Sequence, residues 1–148
     1  MADHASLNLL KLCVGAERVE DLETWRDTLR RRRSAQGLDA RHVHVTRMWP
    51  RRGAELLRGG SLYWVFKGLV LARQRILALE PRQGDDGVTR CAIVLDDEVV
   101  RTEAQPRRPF QGWRYLAAKD APQDVSTGDP ILDLPGNLRR ALSELGVK

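Results

Sequence analysis

The chain alternates short apolar runs with turn residues, and each run has a readable period. Leu7-Asn8-Leu9-Leu10-Lys11-Leu12-Cys13-Val14 is short, mostly apolar and ended by Gly15, which predicts a first strand. Val19, Leu22, Trp25 or Arg26, and Leu29 then recur every three to four residues, which predicts a helix over Glu17–Ala35. Glu17, Glu20, Asp21 and Glu23 fill its start, Arg30 to Arg33 fill its end, and Gly37 follows. That distribution complements the helix macrodipole. It also explains the arginine run without a ligand, because four successive helix positions point in all directions.

His42–Met48 alternates, with Val43 and Val45, and Arg47 next in phase, on one side and His42, His44, Thr46 and Met48 on the other, as in a strand. Trp49-Pro50 ends it, and Pro50 can open a short helix, Pro50–Leu57, stopped by Gly59-Gly60. Ser61–Lys67 is rich in aromatic and branched residues and predicts a strand, punctuated by Gly68. The Leu and Ala content of Leu69–Leu79 suits a helix. We read it as a strand, because Pro81–Gly87 is turn-rich and Val88–Leu95 is strand-like, so the pair reads as a hairpin. Val99–Glu103 predicts a further short strand, Gln105–Pro109 a loop leading to Phe110–Leu116, and Pro135–Leu145 a terminal helix. The expected fold class is α+β. It has a mainly antiparallel sheet of about five or six strands, or a small β-barrel, and about three helices.

At 148 residues the chain is expected to form one domain with an ordinary core. The net charge of +5 is unevenly spread: −3 over residues 1–29, +9 over 30–115 and −1 over 116–148. The basic middle either attracts a polyanion or is solvated arginine. Cys13 and Cys91 are far apart with apolar neighbours and read as buried thiols of a reducing cytoplasm. The amino-terminal stretch lacks a basic leader, and Asn8 and Lys11 interrupt its apolar run. Neither a signal peptide nor a membrane span is therefore expected, and a cytoplasmic location is.

Five clusters carry candidate chemistry. His42-x-His44 would put two imidazoles on one strand face, but no third ligand stands at a recognisable spacing, so no metal is expected. Gly59-Gly60-Ser61 lacks the nucleophile-elbow pattern and a nameable base, and reads as a helix stop and turn. Gly84-Asp85-Asp86-Gly87 reads as a hairpin turn rather than a cation site. Arg73-x-Arg75 places two guanidinium groups on one face. They either recognise phosphate or carboxylate, or pair internally with an acid such as Glu55 or Glu80. In Arg107-Arg108-Pro109-Phe110-Gln111-Gly112-Trp113-Arg114-Tyr115, Trp113 and Tyr115 share one face and Arg114 takes the other. The aromatics suit base stacking or a core over a sheet.

Several strings together resemble a known family: Leu10–Gly15, His44-Val45-Thr46-Arg47-Met48-Trp49-Pro50, Gly59–Gly68, Arg73-Gln74-Arg75-Ile76 and Arg107–Leu116. They are similar to an alphaproteobacterial family known as domain of unknown function 1489, over nearly the whole chain. That resemblance implies a cytoplasmic bacterial protein and carries no activity with it. A short helix, a glycine turn and a strand with basic residues are also loosely similar to the PUA and ASCH group of small β-barrels, a likeness of layout alone.

The leading expectation is a basic module that binds RNA or a nucleotide-like anion. Arg47, Arg51, Arg52, Arg73, Arg75, Arg108 and Arg114 would contact phosphate, with Trp49, Tyr63 and Trp113 as stacking candidates. The alternatives are two. One is a small enzyme in which Arg73 and Arg75 clamp an anion beside His42 or His44; the other is a protein-interaction module. No cofactor is expected, and the sequence leaves the oligomeric state open.

Overall fold

The structure is a computed structural model that describes residues 7–125. The chain runs β1 (Leu7–Leu12), α1 (Val19–Ala35), β2 (His42–Thr46), α2 (Gly53–Leu56), β3 (Ser61–Phe66), β4 (Leu69–Gln83), β5 (Thr89–Leu95), β6 (Val100–Pro106) and β7 (Trp113–Ala117). A turn of 3-10 helix, Ala118–Asp120, follows β7. The terminal helix expected over Pro135–Leu145 lies outside the described residues.

The seven strands form one sheet in the order β2-β5-β4-β3-β1-β7, with β6 also paired to β4. β1 runs parallel to β3, and every other named pair is antiparallel. The parallel pair follows from the connection: α1, β2 and α2 intervene between β1 and β3, and that much chain allows a crossover. Lys67 (φ 47°) and Gly68 (φ 85°) turn β3 into β4 in two residues, the geometry that fits the twist of paired strands.

β4 is long because it is one strand with two partners along one side. Its second half pairs with β5, from Ile76 opposite Leu95 to Gln83 opposite Thr89. Its first half pairs with β6, from Leu69 opposite Pro106 to Arg73 opposite Val100. The strand choice for Leu69–Leu79 therefore holds, and the helical alternative does not. Gly84 to Gly87 forms the expected hairpin turn, closed by Gly84 N–H donating to Val88 O at 2.9 Å.

The small-barrel expectation is corrected: the sheet is open. β2 and β7 stand at opposite ends of the strand order and share no ladder among the described residues. The sheet is nevertheless curled. The Trp113 indole N–H on β7 donates to Met48 O, just beyond β2, at 3.0 Å.

The two faces of the sheet carry separate cores. Leu9, Leu62, Trp64, Phe66, Ala72, Ile76, Ile93 and Leu95 lie on one face, which α1 covers with Val19 and Leu22. Leu10, Tyr63, Val65, Val70 and Leu116 fill the other. Each fully buried Leu, Ile or Phe contributes about 1.5–3 kcal/mol relative to exposure. The α1 stripe resolves on Arg26, which is buried, while Trp25 is about half exposed. Gly60 is required by space: a Cβ there would stand 2.5 Å from both Leu56 O and Leu7 O. Among the described residues no helix is long and apolar enough to cross a membrane.

Candidate functional site

The strand register assigns each candidate side chain to a face. Arg73 stands opposite Tyr63, and Arg75 opposite Ser61. Gln74 stands opposite Leu62, and so projects to the Trp64 side. His42 and His44 stand opposite Leu95 and Ile93, on that same Trp64 side. The histidines and the Arg73–Arg75 pair are therefore on opposite faces, and the proposed anion clamp beside a histidine acid or base is not formed.

Arg73 is held internally. Its Nε and Nη2 donate to Asp124 Oδ1 and Oδ2 at 2.7 Å each, and Nη1 donates to Ser61 Oγ at 2.9 Å. The expected internal partner was Glu55 or Glu80, but Glu55 pairs with Arg52 and Glu80 with Arg41. Asp124 was invisible from spacing, because it returns to β6 only through the isolated bridge Thr102–Asp124. Ser61 is buried and fixed by Asn8 Oδ1, which accepts its backbone N–H at 2.9 Å, so it is structural. Tyr63 is only 7% exposed and is no stacking platform.

Trp113 and Tyr115 pack edge to face with centroids 4.8 Å apart. Both serve the segment that follows β2. Trp113 donates to Met48 O, and the Tyr115 hydroxyl accepts the Arg52 N–H at 3.1 Å. That segment presents Arg47, Met48, Trp49 and Arg51 to solvent. Arg52 is also exposed but pairs with Glu55 and lies over the Tyr115 ring. Arg75, Arg108 and Arg114 are exposed elsewhere, with Arg114 over the Phe110 ring. The ten candidates thus divide: Arg47, Trp49, Arg51, Arg52 and Trp113 come together, whereas Tyr63, Arg73, Arg75, Arg108 and Arg114 do not join them.

A cavity of about 370 Å³ opens where the end of β1, the start of α1 and β2 converge. Trp25, Trp64, His42, His44, Lys11 and Cys13 are among its walls. His42 lies edge-on to Trp25 (5.6 Å) and parallel to Trp64 (6.3 Å), and His44 lies edge-on to Trp64 (5.6 Å). Burial and the Arg26 guanidinium push His42 down to about 4, and burial with Lys11 does the same to His44. Both are neutral at pH 7. Nε2 of His44 is buried without a hydrogen-bond partner among the described residues. Asp21 also borders the cavity, but its carboxylate accepts the Glu17 and Arg18 N–H groups, each at 3.1 Å.

Among the described residues no group of three His, Cys, Asp or Glu side chains is placed to hold a metal. His42 and His44 do share a face, but Nδ1 of His42 is taken up by Gln74. The sequence picked out the two histidines and missed Lys11, Trp25, Trp64 and Gln74 as their neighbours. The exception to the α1 stripe, a tryptophan beside a buried arginine, was the available signal for Trp25.

No curated protein matches the chain, and no solved structure does. The model of the family described as Protein of unknown function (DUF1489) matches residues 9–148, and the chain belongs to that family.

Proposed function

We propose that the protein binds a nucleotide-like anion, with the planar ring in the cavity between α1, β1 and β2. The observation that carries this reading is the half-exposed Trp25 indole in a cavity wall that also holds Lys11, His42 and His44. The volume of about 370 Å³ falls within the usual range for small-molecule sites. The exposed part of the Trp25 indole suits a heteroaromatic ring, and Lys11 supplies a cation for phosphate at the cavity wall.

Both histidines are neutral here, and Nδ1 of His42 is already taken up by Gln74. A base with a pKa of about 4 is poorly matched to proton transfer at neutral pH, which weighs against the enzymatic alternative. The test is titration with AMP, GMP, CMP and UMP, read by tryptophan fluorescence and calorimetry. At least one should bind saturably, and Trp25→Ala should weaken it about tenfold, the equivalent of ~1.4 kcal/mol. Failure of all four to bind the folded protein at millimolar concentration would overturn the reading.

A further inference from the structure

We infer that the natural ligand is a single-stranded nucleic acid, one base of which enters the cavity while the flanking backbone lies along the segment after β2. This rests on the nucleotide reading above and extends it from a mononucleotide to a strand. The segment begins beside the cavity: His44 is in its wall, and Arg47 follows three residues later. Arg47 and Arg51 are exposed and have no carboxylate partner among the described residues. Between them Trp49 is 43% exposed and Met48 66%. Two cations flanking an exposed indole match the requirements of a strand, phosphate every nucleotide and a ring to stack.

The display is also held in place. Met48 O is fixed by Trp113, Arg52 N–H by Tyr115, and Pro50 between them is fully buried. A surface loop left to itself would lose entropy on binding; one anchored at both ends loses less. Charge points the same way, since residues 30–115 carry +9 and include the whole segment. A duplex does not fit the cavity, because its bases are already stacked and paired.

The experiment is anisotropy with a fluorescein-labelled single-stranded RNA of about 12 nucleotides, spanning a typical single-strand site. It is run beside the mononucleotide titrations and across a salt series. Wild type should bind RNA at least about tenfold tighter than the best mononucleotide, with affinity falling steeply as salt rises. Arg47→Ala/Arg51→Ala should abolish that advantage and leave mononucleotide affinity unchanged, while Trp25→Ala weakens both. RNA no tighter than a mononucleotide, an Arg47→Ala/Arg51→Ala variant that binds RNA like wild type, or a duplex bound equally well would each overturn the strand inference. In those three cases the mononucleotide reading survives. If neither RNA nor mononucleotide binds, both are overturned.

Discussion

The side chain of Gln74 fixes the tautomer of His42. Gln74 Oε1 accepts the Trp64 indole N–H at 2.9 Å, and Nε2 donates to Asp96 O at 2.8 Å. Indole can only donate and a carbonyl can only accept, so the amide has one orientation. Its remaining N–H meets His42 Nδ1 at 2.8 Å, which makes Nδ1 the acceptor and leaves the ring proton on Nε2. One fully buried amide thereby ties β4 to β2, to β3 and to the turn after β5.

Gln74→Leu keeps the volume and orphans three partners at once. Each abandoned buried group costs about 1–3 kcal/mol, and relaxation recovers part of the sum, so a loss of roughly 2–4 kcal/mol is expected. Urea unfolding at pH 7.5 measures it. A loss below about 1 kcal/mol would mean that the network is not formed.

The buried histidines predict an acid-sensitive fold. Their folded pKa of about 4 lies below the 6.5 of the free side chain, so between those values the unfolded chain binds more protons. Stability is full above pH 6.5 and falls as pH drops toward 4. One pKa unit corresponds to about 1.4 kcal/mol, so the pair should withdraw on the order of 2 kcal/mol or more between pH 7 and 4.5. Asp39, held down to about 2 chiefly by the Arg41 side chain, titrates below that window. Chemical denaturation at half-unit pH steps should show the decline, and His44→Phe should flatten it.

Arg73 and Asp124 predict a stability effect separate from binding. Their bidentate pair is partly solvated, so a double-mutant cycle of Arg73→Ala and Asp124→Ala should give a coupling of about 1 kcal/mol. The same variants should leave mononucleotide affinity unchanged, because Arg73 is on the face opposite the cavity. A tenfold loss of affinity in a folded Arg73→Ala would contradict that placement.

Much of the fold was legible because its elements obey local rules. The α1 stripe, the alternation from His42 and the Gly84–Gly87 turn each need only neighbours within about four residues. What was not legible depended on distant pairings. The opposition of Arg73 and the histidines follows from the register of β4 against β3 and of β2 against β5, which no local pattern encodes. Arg73 with Asp124 spans 51 residues, and His42 with Gln74 spans 32. The arginines and aromatics expected to act together divide for a related reason. Successive strand residues face opposite ways, so Tyr63 is turned into one core and Trp64 into the other.

The two cysteines should be slow to react, and for different reasons. Burial pushes both thiols up to about 11, so little thiolate is present at pH 7.5. Cys91 is fully buried in the core beneath α1, whereas Cys13 is partly exposed in the cavity wall. With iodoacetamide followed by intact mass, one slow adduct at Cys13 is expected in the folded protein, and the second only in denaturant. A bound nucleotide should slow the Cys13 adduct several-fold by filling the space beside it. Prompt modification of Cys91 under native conditions would show that the sheet opens locally around β5, and an unchanged Cys13 rate at saturating nucleotide would place the ligand elsewhere.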